Sequence, residues 1–400
     1  MFNICGAVMM SEELEKLRRL IDDIDERILE CLAERMRLSK AIGEVKKREG
    51  LPLFDADREE ALLRKLVTAN KEPLLEPTFL RAIYREIFAA SRALQYNLSV
   101  AYLGPEWTYA HIAARFMFGN SAEYTPFPTL SDVFDAVSRN LCSIAVVPIE
   151  NSLEGSIGVT MDFLFDYDLS ILRESYVAME YVLAVADPSS SSVKEVYAHP
   201  RAMNQCRRWL AEHIGTVNYV ECASTAEAAK RCKEKASPGT AALCNLFAAH
   251  HYGLYVVAQN IADYPGAVTR FVALGRAQTE PTGNDKTSIV FAIYHSPGML
   301  YKALEPFAKH GVNLSRIESR PNRRLPRHYL FFADLEGHRL DPLVSKSLEE
   351  MERNVSILKV LGSYPKASID EPVRIHGEMV RSEVVTYSGF RGTDSRGDLK

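Results

Sequence analysis

Apolar residues recur in alternating steps of three and four along the first fifty positions: Leu14, Leu17, Ile21, Ile24, Ile28, Cys31, Arg35, Leu38, Ile42 and Val45. Nine of these ten seam positions are apolar and the seventh is arginine. The spacing predicts one continuous helix of ~50 Å at ~1.5 Å per residue, too long for the core of one small domain. Its seam must bury itself against other helices, including a second copy of the chain. A guanidinium in that seam is costly unless an anion meets it there.

Polar residues around Arg35 complete the picture. Lys46 follows it by eleven positions, ~20° around the helix and ~16 Å along it, which leaves room for one small anion between two long side chains. Asp55, Arg58 and Glu59 have i, i+3, i+4 spacing and share one face of a second helix, and Ser91 and Gln95 share a face of a third. Arg18 lies ~25 Å from Arg35 and ~100° around the helix, so it reaches the same ligand only from a partner chain. Together these residues describe a cationic pocket in an all-helical dimer.

After Tyr96 the period changes. Short β-rich runs (SVAYLG, SIAVVPI, EYVLAVA, VKEVYAH, VNYVECA, TAALCN, TRFVALG) alternate with amphipathic stretches. Two of the stretches open on capping pairs, Thr129 with Asp132 and Ser224 with Glu227. This alternation predicts α/β layers with largely parallel sheets, in two lobes with a cleft between them. A polar linker, RAQTEPTGND, precedes a third pattern that reads strand, helix, strand, strand, helix, strand over 286–365, a ferredoxin-like order. Gly311 is placed to end its first helix. The expected division is 11–96 helical, 98–276 two-lobed α/β, 286–366 α+β and 367–400 a polar, loose tail.

Composition narrows the function classes. A net charge of -4 gives no electrostatic reason to expect nucleic acid. The apolar start Met1–Met10 is too short for a bilayer and lacks a basic flank, so no membrane association is expected. Seven cysteines without a CxxC pair read as free thiols in a reducing, cytoplasmic compartment. The ten histidines lack metal-ligand spacing, and there is no Walker loop, dinucleotide fingerprint or nucleophile elbow, so neither metal nor cofactor is expected.

Over 11–96 the stretches LRRLIDDIDERILECLAER, GEVK, DADREE and SRALQ resemble the all-helical chorismate mutase family. The resemblance implies that Arg18 of a partner chain and Arg35 grip the carboxylates of chorismate. It implies further that Lys46 and Gln95 address the ether oxygen, and that Asp55 and Glu59 orient the ring hydroxyl with Arg58 and Ser91 in support. Such a pericyclic rearrangement needs no nucleophile, only a held conformation and stabilised charge.

The motifs VVPIENSLEGSI, HPRAMNQC, ECASTAEAA, AAHHYGLYVVAQNIAD and Thr269-Arg270-Phe271 resemble prephenate dehydratase, and Glu318-Ser319-Arg320-Pro321 resembles the phenylalanine site of an ACT regulatory domain. The order matches the bifunctional chorismate mutase–prephenate dehydratase family. By that resemblance Thr269 supplies a proton to the departing hydroxyl. Asn151, Ser152, Gln205, Thr225 and Arg270 bind the substrate. Gly298, Met299, Leu300 and Glu318 to Pro321 bind L-phenylalanine. The implied activity is chorismate to prephenate to phenylpyruvate, feedback-regulated by phenylalanine, in a homodimer or larger homo-oligomer.

Four positions depart from the family: Trp107 for a glycine, Ala110 and Ala198 for serines, and Ala267 for an asparagine. Each lost hydrogen bond to a charged substrate removes roughly 1.5–3 kcal/mol of binding. Tyr301 replaces a small residue beside Gly298. These changes leave open an alternative in which the middle domain has changed substrate or reaction, as an arogenate dehydratase or prephenate decarboxylase, or serves only as a ligand sensor.

Overall fold

The computed structural model describes residues 2–50, 56–189, 192–293, 296–321 and 329–374, with backbone alone for 2–12 and 56. Asp55 lies outside the described residues. Three helices come first: α1 (Phe2–Glu49), α2 (Ala56–Ala69) and α3 (Pro77–Gln95). Pro77 opens α3, where a missing N–H leaves nothing unsatisfied. α1 and α3 approach closely at Gly43, where an added Cβ would fall within 2.8 Å of Gln95 Cγ. The seam predicted from the heptads is an outer face of this single chain: Leu17, Ile21, Ile24, Ile28 and Ile42 are 50–57% exposed.

The next unit has two lobes. The first runs β1 (Ser99–Leu103), α4 (Tyr109–Phe118), β2 (Glu123–Phe127), α5 (Leu130–Ser138), β3 (Ile144–Asn151), β4 (Gly155–Ser156), α6 (Gly158–Asp166) and β5 (Ser170–Ala178). The second runs β6 (Val182–Val185), β7 (Glu195–Ala198), α7 (Pro200–Gln205), α8 (Arg207–His213), β8 (Asn218–Glu221), α9 (Thr225–Lys235), β9 (Thr240–Cys244), α10 (Leu246–His251) and β10 (Tyr255–Gln259). The chain then returns to the first lobe as β11 (Val268–Gly275). Sheet order is β2-β1-β3-β11-β5 in lobe one, with β4 paired to β3, and β10-β6-β9-β7-β8 in lobe two.

The sheets are mixed, which corrects the expectation of largely parallel ones. β1, β2 and β3 run parallel, as do β7, β8 and β9, but β11 is antiparallel to both β3 and β5, and β6 to both β9 and β10. The reason is the chain path. The chain leaves lobe one after β5 and returns in β11, so these strands need no helical crossover to pair. The caps read from sequence form: Thr129 Oγ1 accepts from Asp132 N and Ser224 Oγ accepts from Glu227 N. Glu227 also accepts from Ala223 N, the residue before that cap, at 2.6 Å.

The last unit runs β12 (Asp285–Ala292), α11 (Met299–His310), β13 (Leu314–Pro321), β14 (Tyr329–Glu336), α12 (Pro342–Glu352) and β15 (Ile357–Pro365), in sheet order β13-β14-β12-β15. Gly311 caps α11 at φ 70°. Side chains alternate along β12. Ile289 and Phe291 pack under the two helices, while Val290 and Ala292 join Phe332, Leu361 and Tyr364 in a core shared with β3, β11 and α5. At Gly362 an added Cβ would meet Ile171 O at 2.3 Å, so β15 crosses β5 where only glycine fits. Lys359 Nζ donates to the carbonyls of Leu164, Phe165 and Tyr167 at the end of α6.

The segment expected to be a loose tail begins tied down. Val373 N donates to Tyr176 O at 2.8 Å and Ala178 N to Val373 O at 2.9 Å, along the edge of β5. Among the described residues no helix is long and apolar enough to cross a membrane.

Candidate active site

In the helical unit, Arg35 donates to Ser91 Oγ and lies 5.6 Å over the Phe88 ring, so α1 and α3 meet at the seam arginine. Burial lowers its pKa, opposed by Tyr84 and Glu59, yet a guanidinium stays charged. Lys46 is half-buried farther along α1, and Gln95 sits across from Gly43. Arg58 is exposed on α2. Arg18 is exposed and pairs with Glu15 at 2.9 Å on its own helix.

Glu59 differs from the expectation. Its carboxylate is taken by Arg92 of α3 and lies 3.7 Å from Arg173 of β5. Arg92 is only 5% exposed and also donates to Phe118 O at 2.7 Å. A buried guanidinium requires an anion, and Glu59 supplies it. Glu59, expected to orient the ring hydroxyl, thus also joins the helical and two-lobed units.

The dehydratase-like site forms where both sheets present the carboxyl ends of their parallel strands, the usual place for a ligand in an open α/β sheet. Asn151 ends β3, directly opposite Thr269 on β11. Asn151 Nδ2 donates to Thr269 Oγ1 at 2.8 Å, and both residues are buried. The amide is oriented by its other end, for Oδ1 accepts from Leu153 N at 3.0 Å and Glu154 N at 3.2 Å. With its oxygen accepting, Thr269 retains its own proton for donation elsewhere. Ser152 Oγ accepts from Val268 N at 3.0 Å and fixes the start of β11. From lobe two, Gln205 ends α7 and reaches across to Glu154 Oε1 at 3.4 Å. Thr225 is buried at the first turn of α9.

Arg270 is corrected. It neighbours Thr269, but successive side chains on a strand point to opposite faces. Thr269 faces Asn151, on the side of β11 where Phe271 and Ala273 join the core. Arg270 faces the last unit and is 2% exposed. Its Nε donates to Glu174 at 2.7 Å, Nη1 to Asp334 at 2.6 Å and Nη2 to Tyr364 Oη at 2.7 Å. Lys286 Nζ joins the cluster through Glu174 at 2.8 Å. Arg270 is thus a buried tie between two units, its guanidinium nitrogens all committed to protein partners. A cavity of about 620 Å³ lies along this junction, lined by Arg270, Lys286, Arg316 and Asp334 among others. Glu150, Ser152 and Val268, which flank Asn151 and Thr269, also line it.

Trp107 occupies φ 66°, the left-handed region that favours glycine. Its ring lies 5.1 Å from His251 and 6.0 Å from Phe247 on α10, and its carbonyl accepts from Asn245 Nδ2 at 2.8 Å. Tyr109 Oη adds a bond to Glu180 O at 2.6 Å. These contacts tie the lobes together at the head of α4. His111 beneath Trp107 has its pKa held down at about 4 by burial, then by Arg115 and His251. Ala110, Ala198 and Ala267 are all buried.

The expected effector residues divide by strand alternation. Glu318 accepts from Ser156 Oγ and from Arg316 at 2.6 Å, and Arg320 lies 3.6 Å from Asp162, all against the two-lobed unit. Ser319 and Pro321 face outward with Ile317. Gly298 is left-handed at φ 81° ahead of Met299 and Leu300, and Tyr301 is 69% exposed in the single chain.

Sequence reasoning missed Glu154, Arg201, Glu174, Lys286, Asp334 and Tyr364. For Arg201 a signal existed, its i, i+4 spacing from Gln205 on one short helix. For the buried cluster there was none, since with Arg270 its members come from five strands in two units.

These features define a fused enzyme with two separate small-molecule sites. Residues 17–96 match the family model of chorismate mutase type II and residues 100–279 that of prephenate dehydratase. The bifunctional chorismate mutase/prephenate dehydratase of Aquifex aeolicus is 43% identical over 363 residues, 90% of this chain and all of that protein. That of Stutzerimonas stutzeri is 38% identical over 363 residues, 89% of this chain and 99% of the relative. The Arthrobacter aurescens prephenate dehydratase, solved in complex with L-Phe, aligns with a TM-score of 0.63 at 37% identity, covering 69% of this chain and 92% of that one. The chain belongs to the bifunctional chorismate mutase/prephenate dehydratase family.

Proposed function

We propose that residues 11–96 rearrange chorismate to prephenate, that 98–276 convert prephenate to phenylpyruvate, and that 286–366 form a ferredoxin-like ACT domain that binds L-phenylalanine. The observation that carries the second step is the Asn151–Thr269 pair. The bond from the ring to the departing carboxylate breaks to give carbon dioxide, its electron pair makes the ring aromatic, and the ring hydroxyl leaves with one proton as water. Thr269, held by Asn151 with its proton free, donates to that leaving oxygen and regains from solvent the one proton that the reaction consumes. No cofactor enters this chemistry.

For the first step Arg35, Lys46 and Gln95 act with Arg18 of a second chain, and Asp55, Arg58 and Ser91 support them. The half-exposed seam of α1 supports that second copy, because so long an apolar stripe is costly in water. The exposed face at Gly298, Ser319 and Pro321 offers the effector site, between two copies of the last unit. The cysteines described are all free, in keeping with a cytoplasmic enzyme.

Adding chorismate to the protein and measuring phenylpyruvate at alkaline pH tests the assignment. Accumulated prephenate without phenylpyruvate would overturn the dehydratase step. Calorimetry with L-phenylalanine tests the effector, and no binding at millimolar concentration would remove it. A second reading, a cleft retuned to an altered substrate such as arogenate, is favoured by Trp107 filling a glycine position. Faster turnover of arogenate than of prephenate would select it.

A further inference from the structure

The substrate assigned above is a dianion, and the arginine beside Thr269 is committed to the opposite face of its strand. Some other cation must meet the carboxylates. Arg115 lies over Trp107 and donates to Asn120. Arg316 pairs with Glu150 at 3.2 Å and with Glu318, and Lys286 with Glu174, all toward the last unit.

Arg201 is placed differently. It stands on α7 four residues before Gln205, so both side chains leave one face of the helix toward lobe one. Its Nε lies 2.8 Å from Glu154 Oε2, while Gln205 Nε2 donates to the other oxygen at 3.4 Å. Glu154 N in turn donates to Asn151 Oδ1, and Asn151 to Thr269. One polar chain therefore leads from the reacting hydroxyl to this guanidinium, across the cleft. Gln205 is 7% exposed and its Oε1 is buried without a hydrogen-bond partner, an acceptor awaiting a donor beside that cation.

We propose that Arg201 is a substrate-binding residue of the cleft, its guanidinium receiving a carboxylate of prephenate while Gln205 Oε1 accepts a hydrogen bond from the substrate's hydroxyl. This rests on the dehydratase reading above. The side chain of Arg201 is 51% exposed, so its pair with Glu154 is screened and exchanges readily. The contact with Glu154 uses Nε, and the two Nη nitrogens form the fork that meets a carboxylate bidentately. Glu154, a like charge to the substrate, weakens binding rather than supporting it.

The test compares steady-state dehydration of prephenate by the full-length protein and three variants, with chorismate mutase activity reporting that each preparation is folded. Arg201→Gln is expected to raise KM about ten- to a hundredfold with kcat within about threefold, the loss of one charge-assisted contact. Arg201→Lys should fall between, since a point charge replaces the fork. Glu154→Gln should lower KM. That sign separates substrate binding from a tie between lobes, in which removing either partner would raise KM alike. An Arg201→Gln KM within twofold of wild type, or a Glu154→Gln KM that is unchanged or raised, overturns the proposal while leaving the dehydratase reading intact. Wild-type protein that forms no phenylpyruvate would instead overturn that reading.

Discussion

Replacing Arg270 by methionine tests whether the fold, rather than the family motif, has been read correctly. The guanidinium holds Glu174, Asp334 and Tyr364 in a site with almost no water. Its loss leaves Glu174 with Lys286 at 2.8 Å and Asp334 with Ser288 at 2.5 Å. Removing one member of a buried ion cluster costs about 3–5 kcal/mol. At roughly 2–4 °C per kcal/mol, the melting temperature should fall by roughly 6–20 °C. The acid limb should move as well. Burial alone would raise the pKa of Asp334, but Arg270 first, then Arg316, Ser288 and Lys286 bring it below the ordinary value. A depressed carboxylate contributes stability that is full above its unfolded pKa of about 3.9 and is lost as pH falls through the folded value. Without Arg270 that loss begins at higher pH. Circular-dichroism melts across pH 3–7, with mutase activity as the control, measure both effects. A variant melting within about 2 °C of wild type, yet with a tenfold higher KM for prephenate, would make Arg270 a substrate ligand and refute this reasoning.

Three further outcomes are expected. Arg35→Ala should abolish prephenate formation and spare conversion of added prephenate; mixing it with Arg18→Ala chains should restore part of the activity, and no rescue in verified hybrids would remove the shared site. Thr269→Ala should lower kcat at least tenfold with KM nearly unchanged, and Asn151→Ala should follow it more weakly; a pure KM effect from either would place the hydroxyl outside the chemistry. His111, whose folded pKa near 4 lies below its ordinary 6.5, binds fewer protons folded than unfolded, so stability should decline by up to about 3 kcal/mol as pH falls from 6.5 to 4. His111→Phe should flatten that slope in thermal melts, and an unchanged slope would show that the slope does not come from His111.

Local pattern reached far in this chain. A strict heptad announces a long helix whatever surrounds it, and α1 spans Phe2–Glu49. The caps at Thr129, Ser224 and Gly311 depend on neighbours within a few residues, so they too were legible. Two separate motifs marked Asn151 and Thr269 through family resemblance, and the fold sets them within one hydrogen bond across 118 positions. What the linear pattern did not carry was direction. Thr269 and Arg270 are adjacent in sequence, yet strand alternation sends one toward Asn151 and the other into a charge cluster built with β5, β12, β14 and β15. Glu59 shows the same limit: spacing placed it on the pocket face of α2, and a buried arginine from α3 claimed its carboxylate. Arg201 carries no mark in sequence beyond its distance from Gln205; only the approach of the two lobes sets it against Glu154. Sequence determined which elements form and which residue types are present. Tertiary structure decided which charge meets which, because a buried ion takes its partner from whatever element packs against it.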